Sequence, residues 1–321
     1  MSLENNSVEI DRMGIFPADP DIKVDSIFSY TDSDGEVFKF KTAPTANYFK
    51  DFFEFYIEKN EITDINQFYG SVITSWNIFT EGWLGASFGS FTDIYEKSIE
   101  WIAFEKDQVN LHALYNIIEL NDIMRKLTYS IPTKKQLKYI IDLLVKFNLE
   151  YGEQPVILDY GCGLAQWSIK ICRCLKEKNI EPRLLLIDLQ KPLHDSFLTF
   201  LCKKYEIQYD LITWSSSVDS NTIPPLLNFH YCHLIDVLEH TPNPVKVMEN
   251  IIGHAADGAI LFATTKDEKP DTIQHVSCDL SGVRKLFDKE YSLPDYSIVE
   301  RGTMHNPSWK LYQIFKGSLD E

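Results

Sequence analysis

The stretch 155–165, PVILDYGCGLA, constrains this chain more than any other. Three apolar residues, Val156, Ile157 and Leu158, run into an acid, Asp159, and then into a turn carrying Gly161 and Gly163. The pattern from Gln166 to Cys172 is helical. A short apolar run closed by glycines and followed by a helix predicts a buried parallel strand, a tight turn and a crossover helix. In open α/β sheets, ligands bind beyond the carboxyl ends of such strands. Glycine at that point lets backbone approach a ligand closely and adopt positive φ.

The stretch from Leu184 to His240 narrows the ligand. A second apolar run, Leu184–Ile187, ends in Asp188, 25 residues after Gly163. A carboxylate at the tip of the second strand can accept both hydroxyls of a ribose. A third strand is expected over Tyr209–Trp214 and a fourth over Phe229–Asp236, the latter closing in Asp236-Val237-Leu238-Glu239-His240. LDYGCG, an acid closing strand two and DVLEH closing strand four together resemble class I S-adenosylmethionine-dependent methyltransferases. The resemblance points to the branch that includes the ubiquinone- and menaquinone-biosynthesis enzymes, and it covers about Gln136 to the C-terminus. Residues before about 130 resemble no named family.

The glycine turn alone is a weak signal. A Rossmann dehydrogenase wants G-x-G-x-x-G, and here Gln166 stands where the third glycine would be. The methyltransferase pattern D/E-x-G-x-G-x-G is met except at Ala165, which takes the place of the last glycine. Two alternatives stay open beside the methyltransferase: a nicotinamide-dependent oxidoreductase on a Rossmann-like sheet, and a non-catalytic methyltransferase-like scaffold.

At 321 residues the chain exceeds one typical domain. The division expected is 1–132, an accessory substrate-cover region that is mostly helical with a β-hairpin, and 133–321, the cofactor-binding domain. The net charge of −16, from 47 acids against 31 bases, repels phosphate backbones, and no basic stripe offsets it. Nucleic acid is therefore not an expected partner. No apolar run is long enough to span a bilayer, and the N-terminus lacks a basic-then-apolar signal pattern. A cytoplasmic protein that does not engage membranes is expected, with a homodimer left open. The six cysteines include no C-x-x-C pair, so neither a disulfide nor a metal site is expected.

Residues 1–20 read as a polar, mobile lead-in. Alternation over 22–28 and 37–40 around Asp34-Gly35 predicts a hairpin, and the aromatic-rich stretch 48–59 an amphipathic helix. The segment 68–91 interleaves Gly70, Gly82, Gly85 and Gly89 with Trp76, Trp83, Phe88 and Phe91; it reads equally as a lid over an apolar pocket or as accessory core. Helices are predicted over 95–104, 111–127 and 134–149. The core then alternates: strand 156–159, helix 166–178, strand 184–188, helix 192–204, strand 209–214, strand 229–236, helix 243–256, a turn at Asp257-Gly258, strand 259–264, helix 279–287. A terminal antiparallel pair is expected over 297–301 and 309–315. The whole predicts an α/β, Rossmann-like, doubly wound sheet. Seven strands with a terminal antiparallel hairpin are what the resemblance implies.

The resemblance implies S-adenosyl-L-methionine as cofactor and a small-molecule methyl acceptor. Asp159 would organise the loop and meet the methionyl ammonium. Gly161 and Gly163 would pass against methionine and ribose, Asp188 would hold the ribose hydroxyls, and Leu189 would pack on adenine. Trp214 and Ser215 would contact the adenine ring, although Trp214 reads equally as core. Asp236 and Val237 would face the methionine portion. His240 and His275 are the rival general bases; each also reads as a structural or surface residue. His230 and His233 read as sheet residues.

Overall fold

The computed structural model describes residues 7–9, 26–31, 37–42, 47–60, 119, 123, 126, 134–214, 228–267, 277, 279–287, 295–304 and 306–317. The segment 68–91, the predicted helix over 95–104, Ser215, His275 and Cys278 lie outside these residues, as does all of the predicted helix over 111–127 except Glu119, Ile123 and Lys126, which are helical. The chain divides into two compact units. One comprises Met1–Val109, Ala113–Ile131 and Lys191–Leu201; the other comprises Asn110–His112, Pro132–Gln190 and Cys202–Glu321.

In the first unit, β2 (Ser26–Thr31) and β3 (Val37–Thr42) form the antiparallel hairpin that the Asp34-Gly35 turn signal predicts, closing at the pair Thr31↔Val37. β1 (Ser7–Glu9) adds to β3 in parallel, so part of the polar lead-in is a strand. The aromatic stretch forms helix α1 (Asn47–Asn60), which buries Phe52 and Phe55. These meet Phe197, one ring edge-on at 5.0 Å and the other tilted at 5.4 Å. Phe197 belongs to helix α4 (Pro192–Lys204). Glu119 accepts hydrogen bonds from the His194 backbone N–H (2.7 Å) and sits 3.0 Å from its Nδ1, which ties the start of α4 into this unit.

The second unit is built on seven strands in the order β6-β5-β4-β7-β8-β10-β9. They are β4 (Val156–Tyr160), β5 (Arg183–Leu189), β6 (Gln208–Trp214), β7 (Phe229–Leu234), β8 (Ala255–Thr264), β9 (Tyr296–Met304) and β10 (Asn306–Lys316). The first five in that order are parallel; β10 inserts antiparallel beside β8 and β9 closes the edge against it. This is the doubly wound, Rossmann-like seven-stranded sheet with a terminal antiparallel hairpin. β4 is buried along its whole length, as a central parallel strand requires.

Helices α2 (Lys134–Tyr151), α3 (Gln166–Lys176), α5 (Pro244–Gly253) and α6 (Ser281–Leu286) flank the sheet, and α2 packs on α3. In α2, Ile140, Ile141 and Leu144 are buried, while Leu137, Val145 and Phe147 are half-buried. α5 starts where the sequence implies: Asn243 caps it by accepting the Lys246 N–H at 3.1 Å, and Pro244 takes the first turn. Its Val247, Met248, Ile251 and Ile252 join Leu158, Cys232, Leu234 and Leu261 in one core.

Several boundaries differ from expectation, and three of the differences have a clear physical cause. β7 stops at Leu234, because Asp236 turns into the left-handed region at φ +52°. The helix expected to reach Ala256 ends at Gly253, since Ala255 already pairs with Phe229. Asp257-Gly258 is a bulge inside β8, not a turn before it: Phe229 pairs with Ala255 but Tyr231 with Ile260, and Gly258 absorbs the extra residues at φ +74°.

Candidate functional site

β4 and β7 are neighbours, yet the chain leaves β4 toward β5 on one side and comes back to β7 on the other. The winding reverses between these two strands, and in open α/β sheets it is beyond the carboxyl ends at such a reversal that ligands bind. Asp159 and Tyr160 close β4, Asp188 and Leu189 close β5, Trp214 closes β6, and Asp236 follows β7. Trp214 is the register partner of Leu189.

The glycine turn is braced on β5. The Gly161 and Cys162 N–H groups both donate to the Ile187 carbonyl, at 2.7 and 3.1 Å. The Gly163 N–H donates to Asp188 Oδ2 at 2.6 Å, and the Leu189 N–H to Asp188 Oδ1 at 2.6 Å. Asp188 thus holds the turn and its own strand end together. Gly161 is required by a neighbour within the chain: at φ +70° an added Cβ would lie 2.5 Å from Val237 Cγ2. Val237, expected to contact cofactor, fills the space that Gly161 leaves, so the turns after β4 and β7 interlock. Ala165, at the last glycine of the motif, has φ +49° at the N-cap of α3 and offers no capping side chain.

Asp159 is 2% exposed. Burial, with Asp188 adding repulsion, pushes its acid up to about 8; nearby Ser168 pulls the other way. Asp159 Oδ1 and Ser168 Oγ are buried without a hydrogen-bond partner among the described residues. A buried polar atom left unpaired costs stability, about 1–3 kcal/mol, so this pair calls for an explanation.

Beyond β7 the chain forms a short turn, Leu238–His240. The Asp236 N–H donates to Thr264 Oγ1 at 3.1 Å, and the Thr264 hydroxyl donates to Asp236 Oδ1 at 3.0 Å. His240 Nε2 lies 3.9 Å from Glu239 Oε1; the imidazole side chain is 28% exposed, the glutamate 4%. Ser277 ties the connection after β8 to this turn, its N–H donating to the Glu239 carbonyl at 2.9 Å and its hydroxyl to the Thr241 carbonyl at 2.7 Å. At the other end of that connection Asp267 accepts both Arg284 Nη atoms, at 2.8 and 2.9 Å, and the Leu280 N–H.

Thr264, Ser168 and Ser277 were not singled out by the sequence reading. Thr264 does carry a signal, being the polar residue that closes the apolar run AILFA, as Asp159 and Asp188 close theirs. Ser168 and Ser277 carry none: Ser168 is buried only by folding, and the partners of Ser277 are remote in sequence.

The strand histidines stand apart from this chemistry. His230 Nδ1 accepts the Val156 N–H at 2.9 Å, and its ring packs on Phe147 at 4.1 Å. Burial pushes its pKa down, partly opposed by Glu153. His233 sits among Trp167 and Phe262, each at 5.4 Å, and burial pushes it down to about 3. Both are sheet residues. Among the described residues no cluster of three or more His, Cys, Asp or Glu could hold a metal, and Cys162, Cys172, Cys174, Cys202 and Cys232 are free thiols.

No protein-family model and no curated protein matches the chain. Solved structures similar to it include an O-methyltransferase family protein from Burkholderia thailandensis, 9% identical over 71% of this chain and 72% of that one, TM-score 0.40. A pericyclic reaction enzyme is 14% identical over 90% of this chain and 73% of that one, TM-score 0.46. A 1,6-didemethyltoxoflavin-N1-methyltransferase from Burkholderia thailandensis, solved with 1,6-didemethyltoxoflavin and S-adenosylhomocysteine, is 9% identical over 57% of this chain and 78% of that one, TM-score 0.37. With TM-scores below 0.5, these likenesses carry no weight for function, and the strand order alone carries the fold.

Proposed function

We propose that the chain is an S-adenosyl-L-methionine-dependent methyltransferase that acts on a small organic acceptor, with a hydroxyl oxygen as the receiving atom. The observation that supports this best is Asp159: a buried carboxyl whose Oδ1 has no hydrogen-bond partner among the described residues, beside a glycine turn, at the sheet's switch point, one strand from Asp188. Those features fit a cofactor that carries both an ammonium and a ribose. Asp159 and Gly161–Gly163 would hold its amino-acid end, Asp188 its ribose hydroxyls, Leu189, Trp214 and Ser215 its adenine, and Asp236 and Val237 the methionine side.

When bound, that cofactor supplies a methyl group on a sulfonium, already activated for in-line displacement. The chain's own work is then orientation, water exclusion and proton handling. Asp188 would accept hydrogen bonds from the ribose hydroxyls while keeping its bonds to the Gly163 and Leu189 N–H groups. Asp159, raised to about 8 by burial, would be held as a carboxylate by the cofactor's ammonium, which would give its Oδ1 a partner, the proton leaving to solvent. His240 takes the proton that a hydroxyl acceptor sheds, and the carboxylate of Glu239 beside it steadies the imidazolium. His275 remains the rival base. The reading extends to a cytoplasmic enzyme with no nucleic-acid or membrane partner, and it leaves a homodimer open.

The reaction itself is tested by incubating the purified chain with S-adenosyl-L-methionine tritiated on the methyl and pools of small phenols, alcohols, amines and carbon acids. Tritium is expected on a hydroxyl-bearing acceptor. His240→Asn should lower that rate by roughly 10²–10⁴ while leaving S-adenosylhomocysteine affinity within a few-fold. Transfer to no pool would remove the catalytic reading and favour the scaffold; transfer unaffected by His240→Asn would return the base to His275 or to none.

A further inference from the structure

We infer that Thr264 is a positioning residue: it sets the carboxylate of Asp236 in the orientation in which that carboxylate meets the cofactor. The inference rests on the methyltransferase reading above and extends it to a residue that the sequence motifs do not include.

Asp236 has a left-handed backbone at φ +52°. Aspartate enters that region more readily than most residues, but a non-glycine residue stays there only where its surroundings over-determine it. A hydroxyl from the neighbouring strand bonds this residue twice. Thr264 Oγ1 accepts the Asp236 N–H at 3.1 Å and donates to Asp236 Oδ1 at 3.0 Å. The two bonds close a small ring that fixes the residue's backbone and its carboxylate together. Either bond alone would leave one of the two free to turn.

The anchor is itself rigid. Thr264 is the last residue of β8, 3% exposed, and pairs with Trp309 of β10. Its β-branched side chain has few rotamers in a strand. The residue before it, Ala263, pairs with Leu234 at the end of β7. The hydroxyl therefore arises from the strand next to β7, buried beneath an aspartate that is itself exposed. A buried, strand-borne group holding an exposed carboxylate in a strained conformation is the arrangement by which a scaffold preorganises a binding residue.

Threonine's replacement options separate this role from packing. Serine can make both bonds. Valine has threonine's shape and can make neither. Calorimetric titration with S-adenosylhomocysteine would be run on the full-length wild type, Thr264→Val, Thr264→Ser, Asp236→Ala and the double variant Thr264→Val/Asp236→Ala. Thr264→Val is expected to weaken binding on the order of tenfold, the scale of a charge-assisted hydrogen bond. Thr264→Ser should stay within about twofold of wild type. In the Asp236→Ala background the valine substitution should add no further loss, because its effect runs through the aspartate. Thr264→Ala replaces valine in each comparison if the valine variant yields too little folded protein. Wild-type affinity in a folded Thr264→Val or Thr264→Ala variant would overturn the inference, as would losses that simply add in the double variant. A wild type that does not bind S-adenosylhomocysteine at all would instead overturn the methyltransferase reading, and this inference with it.

Discussion

Asp159 is a carboxyl group held where its charge is unwelcome, and that has a measurable consequence for the free protein. Its folded-state acid lies at about 8, against an unfolded value near ~3.9. Between those values the folded state holds a proton that the unfolded state has lost, so stability falls as pH rises from about 4 to about 8. His233 acts oppositely: pushed down to about 3 from near ~6.5, it makes stability rise with pH across that lower window. The two slopes oppose each other where the windows overlap, and between about 6.5 and 8 Asp159 acts alone of the two. Melting temperature should therefore decline over that upper window, and Asp159→Asn should remove the decline while abolishing tight cofactor binding. A variant whose melting profile kept the wild-type decline would contradict this account of Asp159. Such a trade of stability for a site is usual at binding residues.

At the scale of elements, the strand–turn–helix unit from β4 to α3 carries a cost at its cap. Ala165 occupies the left-handed region, where a Cβ is unfavourable by roughly 1–2 kcal/mol. Glycine relieves that strain but loses more freedom on folding, so Ala165→Gly should stabilise by a net amount of about 0.5–1 kcal/mol, a rise of roughly 2–4 °C in melting temperature. A lowered melting temperature would mean that the alanine methyl contributes packing that outweighs the strain. The parallel strands were legible because burial on both faces leaves near-continuous apolar runs, and their ends were legible where an acid closes the run, as at Asp159 and Asp188. The bulge at Gly258 was not: Asp-Gly is a turn signal locally, and only pairing of Ala255 with Phe229 shows that the strand had already begun. The end of β7 was misplaced for a similar reason. Ile235 and Asp236 look like more strand until the Thr264 hydroxyl, remote in sequence, pulls Asp236 into a left-handed turn.

For the whole molecule, the sheet order β6-β5-β4-β7-β8-β10-β9 puts the ends of β4 and β5, which Asp159 and Asp188 mark, side by side and next to the end of β7, so the candidate residues gather at one end of the sheet. The candidate cofactor side was legible because its residues close strands; the acceptor side was not, since acceptor pockets are built from loops and added segments that follow no period. In the proposed function, Asp188 holds the ribose of an adenosine-bearing methyl donor. Calorimetric titration of wild type and Asp188→Ala with S-adenosylhomocysteine, and of wild type with NAD, tests it most directly. Wild type is expected to bind S-adenosylhomocysteine and not NAD, and Asp188→Ala to weaken the former at least tenfold, the order expected for losing charge-assisted bonds to two hydroxyls. Binding of NAD alone, or an Asp188→Ala variant that binds S-adenosylhomocysteine as tightly as wild type, would contradict it.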